Sequence, residues 1–237
     1  MAKAHTAWKV LPHGPLETLT DNIWRVEGTL PDMPLKRVFT VVRLADGCLL
    51  LHNAIALDEV LMAEIEGWGV PRYLVVPNGW HRLDARIFKQ RYPRIEVICP
   101  RGARRKVEQV VEIAGSYDDV DLGRGVELAH LDGVGQMEGV LQVSSSDGVT
   151  LVFNDIIFNM VHLPGVFGLV YRLIGSTGGA RVTHVARLMM VKDREALAAH
   201  LQRLANVPDL RRVIVSHGAM ESADPAGMVR RAVATLG

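Results

Sequence analysis

Leu151-Val152-Phe153-Asn154-Asp155 is an apolar strand that ends in an acid, and Val213-Ile214-Val215-Ser216-His217-Gly218 is another that ends in a histidine. Buried strands carry their polar exit residues to the rim of a sheet, where segments distant in sequence can converge. Two further stretches share this form: Val75-Val76-Pro77-Asn78-Gly79-Trp80-His81-Arg82-Leu83-Asp84 and Leu128-Ala129-His130-Leu131-Asp132-Gly133. Taken singly, each has a plain structural account. His81 reads as a loop histidine and Asp84 as the N-cap of a following helix. Asn154 and Asp155 read as turn residues, and His217-Gly218 as an ordinary strand exit. Taken together, the four stretches define a candidate pocket of Asn78, His81, Arg82, Asp84, His130, Asp132, Asp155 and His217.

Outward from these stretches, residues 23–26, 38–42 and Cys48–His52 read as strands, with Asp46-Gly47 as a hairpin turn between the last two. Val60, Leu61, Ile65 and Trp68 have helical spacing and predict a helix over 58–68. Residues 73–76 and 95–98 read as buried strands, and 104–113 as a helix. Further strands are expected at Val126–His130, 140–144, 150–153 and 212–215. An amphipathic helix is expected over 195–204, with Leu197, Leu201 and Leu204 on one face. A last helix starts at Asp224-Pro225, where the missing proline N–H costs nothing. The order is strands, αβ units, antiparallel-looking strands, then αβα. It describes a mixed α/β chain with two similar halves and not a run of βαβ units. No Gly-x-Gly-x-x-Gly follows a strand, and there is no phosphate-loop motif.

The 237 residues are 49% hydrophobic and 22% charged, which excludes a disordered or collagen-like chain. Without a low-complexity tract or linker, one domain over 1–237 is the simplest organisation. Lys and Arg number 27 against 26 Asp and Glu, a balance that argues against a general nucleic-acid or membrane-surface binder. Cys48 and Cys99 lie in apolar runs and read as buried free thiols in a reducing compartment. With no signal-peptide pattern and no apolar stretch of membrane-spanning length, the expected location is cytoplasmic.

The order of elements and the stretches ending at Asp155 and His217 resemble the metallo-β-lactamase fold superfamily. The resemblance covers nearly the whole chain and implies an αββα sandwich. In that superfamily a His-x-His-x-Asp-His loop follows a strand, helix and strand; a Gly-His step, a strand-end Asp and a final His-Gly come later. Val152-Phe153-Asn154-Asp155 is similar to the strand-end aspartate, and Ser216-His217-Gly218 to the closing histidine. The chain departs from the pattern at the loop. Asn78, Trp80, Arg82 and Leu83 stand at the four ligand positions, and His81 falls between them. His130 comes slightly early for the Gly-His step, and Asp132-Gly133-Val134 has no histidine. The chain thus resembles a divergent branch, similar to families of this fold with Pro-Asn-x-x-His at this place.

The losses set the expectation for metal. By resemblance two ligands remain, Asp155 and His217, too few for a dinuclear zinc centre. An inward-turned His81 would complete a single-ion site of two histidines and a carboxylate, suited to zinc or iron. In the alternative, Arg82 occupies the metal space and pairs with Asp155, with no ion needed. A metal-free scheme would have His81 or His217 as general base, oriented by Asp84 or Asp155. The resemblance implies hydrolysis of a small ester, lactone or thioester. The competing function is a non-catalytic protein that holds an anionic or apolar small molecule, with Arg82 gripping the anion.

Two further features bear on partners. Residues 82–106 hold nine basic side chains against two acids, Asp84 and Glu96. They read either as a solvated face paired with acids such as Glu108 and Glu112, or as a surface for an anionic partner. Nucleic acid fits poorly, because nucleases of the superfamily keep their metal ligands. The apolar segment 160–174 follows Asp155, with a Gly-rich stretch at 175–179 behind it. It reads as buried packing, as a homodimer contact, or as a lid over an apolar ligand.

Overall fold

Strands β1 (Glu17–Thr18), β2 (Ile23–Leu30) and β3 (Met33–Arg43) run antiparallel, and the Asp46-Gly47 turn joins β3 to β4 (Cys48–His52). The turn forms as its residue types dictate, with Asp46 Oδ1 accepting the Cys48 N–H at 2.9 Å. Asp58 caps α1 (Glu59–Trp68) by accepting the Leu61 N–H at 3.0 Å. The helix carries the chain to β5 (Val70–Val75), parallel to β4. A second crossover, α2 (Ala85–Arg91), leads to β6 (Glu96–Ile98), parallel to β5. The sheet order is β1 through β6 without interruption. A short 3-10 turn at Arg101–Ala103, α3 (Arg104–Val107) and β7 (Val126–His130) follow. The described residues are 4–237 of this computed structural model; they divide into one unit that ends at Leu128 and a second spanning Ala129–Gly237.

The core of the first unit gathers Phe39, Leu49, Leu51, Met62, Ile65, Leu74, Phe88 and Val97. Phe88 sits at its centre, with ring centroids 5.0 Å from Trp8, 5.9 Å from Phe39 and 6.2 Å from Tyr92. At the other end Trp24 from β2 stacks on Trp68 at the end of α1, centroids 3.9 Å apart and planes 5° from parallel.

Helix α2 is the helix expected after Asp84, but its bounds were not legible, because Arg86, Lys89 and Arg91 obscure the buried Ala85, Ile87 and Phe88. The helix expected over 104–113 stops at Val107. Beyond it the chain turns to run beside β6, with Ala114 N–H on Val97 O at 2.9 Å, and this tertiary pairing overrides the local preference. Cys48 and Cys99 are both free, but only Cys99 is buried, and burial pushes its thiol up to about 12.

The second unit continues with β8 (Gly139–Ser145), β9 (Gly148–Phe153), β10 (Phe158–Met160), α4 (Gly165–Leu173), β11 (Gly179–Arg181), α5 (His184–Met189), α6 (Arg194–Ala205), β12 (Leu210–Val215) and α7 (Pro225–Ala234). Its sheet has the order β12-β9-β8-β7, with β12 parallel to β9 and β8 antiparallel to it, and β10 pairs with β11. Asp193 and Asp224 cap α6 and α7, and Leu197, Leu201 and Leu204 are buried as their spacing predicts. Buried packing of the 160–174 segment is corrected: α4 buries Gly168 alone.

Truncating Phe88 to alanine removes the ring that three other aromatics meet. Phe88→Ala is expected to lower the unfolding free energy by about 3–5 kcal/mol, read by denaturant titration.

Candidate functional site

Asp155 and His217 meet because of register. Val215 pairs with Phe153 across the parallel β9 and β12, so both strands leave the sheet at the same edge. Two residues beyond each of these lies one member of the pair. His217 Nε2 is 3.2 Å from Asp155 Oδ1, and the residues are 3% and 6% exposed. The Phe158 ring lies 4.6 Å from the imidazole, centroid to centroid. The exit of β12 is fixed from behind, where Asn159 N–H donates to His217 O at 3.0 Å. Gly218 follows at φ 113°, and a Cβ there would collide with the Asn159 carbonyl, so glycine is required after the histidine.

The Asp155 turn is held by a residue the sequence reading missed. Glu138 is 0% exposed, and its carboxylate accepts the N–H groups of Asn154 at 3.2 Å, Asp155 at 3.0 Å and Ile156 at 2.9 Å. Three otherwise unmatched backbone donors and one buried charge thereby satisfy each other.

In the first unit the loop after β5 carries Asn78 and His81. Asn78 is buried, and its Oδ1 accepts the N–H groups of Trp80 at 2.8 Å and His81 at 3.2 Å, which sets the shape of the loop. His81 Nδ1 lies 2.9 Å from Oδ1 of Asn53, the residue after β4. An amide oxygen can only accept, so this contact assigns the proton to Nδ1 and the lone pair to Nε2. The C-terminal ends of two neighbouring parallel strands are where open α/β sheets place their sites. His52, the last residue of β4, is a further polar group there that sequence reasoning did not select. It is buried, and its Nδ1 has no hydrogen-bond partner. Desolvation, with the neighbouring His81 second, drives its imidazole down to about 3, so it is neutral at ordinary pH.

The other expected residues have structural work. Asp84 is at the N-cap position of α2 but makes no capping bond. Its carboxylate instead takes a buried ion pair from Arg37 and a 2.7 Å contact from His5 Nδ1, so it neither caps nor orients His81. Arg82 donates from its guanidinium to the Lys106 carbonyl and to Gln109 Oε1. Asp132 is half-exposed and bonds to Arg203 and His200, as a surface charge does. His130 ends β7 and is partly buried. Within the basic segment Arg91 pairs with Glu59 and Glu66, Arg101 with Asp118, and Arg104 with Glu108, in keeping with a solvated, paired face.

No protein-family model and no curated protein matches the sequence. Solved structures do match. A metallo-β-lactamase from Pontibacter korlensis is 12% identical, with a TM-score of 0.63 over 94% of this chain and 98% of its own. The metallo-β-lactamase from Hirschia baltica is 14% identical, with a TM-score of 0.59 over 92% and 96%. The DIM-1 metallo-β-lactamase, in a structure exposed to ceftazidime, is 14% identical, with a TM-score of 0.61 over 97% and 100%. The likeness runs the length of the chain and is the type of fold expected from the order of elements.

Two substitutions test the electrostatics. Glu138→Ala leaves three backbone donors buried without an acceptor and is expected to cost at least about 3 kcal/mol of stability. Asp84→Ala leaves the buried Arg37 unpaired and is expected to cost about 3–5 kcal/mol. Replacing both partners by hydrophobic residues of similar volume should recover most of that second loss. Chemical denaturation of each variant reads the effect.

Proposed function

The chain has the metallo-β-lactamase fold, and from that premise we propose that it binds one zinc or iron ion through His81, Asp155 and His217 and hydrolyses a small ester, lactone or thioester. The observation that carries the reading is the buried His217–Asp155 pair at two adjacent strand ends. Two imidazoles and one carboxylate are a donor set suited to zinc or iron, and His81, Asp155 and His217 would supply it. A bound ion would polarise a carbonyl and activate a water for its hydrolysis.

The chain's own residues do the positioning. Asn53 fixes the tautomer that leaves the His81 Nε2 lone pair to ligate, as outer partners of ligating histidines do. Glu138 fixes the backbone on which Asp155 stands. Asn78 shapes the loop on which His81 stands. The loop 78–84 offers one histidine, so the proposal is for a single ion and not a pair.

The test is metal content per chain, by elemental analysis of tag-free protein purified without chelator, alongside His217→Ala and His81→Ala. About one zinc or iron per chain, lost in both variants, is the expected result. Turnover in a panel of esters, lactones and thioesters should be lost with it. Protein that stays metal-free after incubation with zinc and iron would overturn the reading and leave the fold with a non-catalytic binding role.

A further inference from the structure

Of the large apolar side chains exposed among the described residues, most fall between Val161 and Met189. Helix α4 presents Val166, Phe167, Leu169, Val170 and Leu173 to solvent, Val166 at 79% exposure, and α5 adds Leu188 at 84%. The cause is visible at Gly168. A Cβ there would collide with the Leu163 carbonyl in the turn that leads into α4, so the one buried residue of the helix packs on its own entry turn while its apolar side chains stay uncovered. A soluble surface rarely carries so many together without an occupant.

Charge narrows the occupant. Residues 156–192 contain no Asp or Glu and carry Arg172, Arg181, Arg187 and Lys192. Arg172 and Lys192 are exposed. Arg187 and Arg181 donate to the carbonyls of Thr235 and Gly178, so no carboxylate neutralises them there. A second copy docked symmetrically through this face would set like charges against each other, with no acid in the segment to pair them. An uncharged apolar partner would leave the cations unused.

We propose that the α4–α5 face docks on a lipid bilayer containing anionic headgroups. The exposed Val, Phe and Leu side chains of α4 enter the boundary between headgroups and acyl chains, and the flanking cations meet the phosphates. A nine-residue helix is about 13 Å long and lies in the interface without crossing it, and no helix among the described residues is long and apolar enough to span a membrane.

The test is flotation of the full chain with vesicles of phosphatidylcholine alone and of phosphatidylcholine mixed with phosphatidylglycerol. The protein is expected to float with the mixed vesicles and to be partly released by added salt. Phe167→Asp and Leu173→Asp should each weaken binding about tenfold or more. Arg172→Glu combined with Lys192→Glu should remove the preference for anionic vesicles. These positions are exposed, so an unchanged circular dichroism spectrum and melting temperature will show that the variants fold. Absence of vesicle binding by folded protein, or equal binding to both compositions, would overturn the proposal. So would a concentration-dependent dimer in ultracentrifugation that Phe167→Asp abolishes, which would assign the face to a second copy.

Discussion

Parallel pairing of β9 with β12 is the constraint on which the candidate site depends. Because Val215 lies opposite Phe153, two strands about sixty residues apart in sequence end together, and their polar exits converge. A slip of one residue would turn every side chain of β12 to the other face and carry His217 with it. The Glu138 carboxylate works against such disorder from the other side. Its three backbone hydrogen bonds fix the turn that bears Asp155, so the histidine is set by a strand and the aspartate by an anchored turn.

Asp155 and His217 were legible in the sequence because each ends a short run of apolar residues, and such runs are buried strands whose exits are exposed to one another. The same logic recovered the bounds of β4 and β7 and the buried face of α6. Glu138 was not legible. In Gln136-Met137-Glu138-Gly139 it looks like a surface glutamate before a strand, and its three partners follow 16 to 18 positions later. Asp84 shows the opposite error. Its position before α2 was read correctly, but the partner that claims its carboxylate is Arg37, which no local spacing indicates. His52 ends the apolar run Leu49-Leu50-Leu51 much as His217 follows Val213-Ile214-Val215, so the same strand-exit signal was there to select it.

The basic segment 82–106 illustrates how far composition stands from electrostatic field. Nine cations against two acids suggest an anion site. In the folded chain, however, Arg82, Arg86 and Lys89 spend their donors on backbone carbonyls. Arg91 takes two glutamates and lies 4.8 Å over the Trp8 ring. Exposed ion pairs of this kind contribute about 0–1 kcal/mol each, so the long side chains serve largely as cover for the core edge. The segment at 156–192 has a smaller count of cations but no carboxylates of its own, so no acid within it can pair them.

The Trp24–Trp68 stack has a spectroscopic consequence. All four tryptophans, Trp8, Trp24, Trp68 and Trp80, belong to the unit that ends at Leu128, and the residues from Ala129 onward contain one tyrosine, Tyr171, and no tryptophan. Indole emission, and any exciton signal from the stacked pair, therefore report on one half of the chain only. Backbone ellipticity reports on both. A melting curve followed by the two probes at once separates cooperative unfolding of the whole chain from sequential loss of its halves, because coincident transitions are the mark of a single cooperative unit.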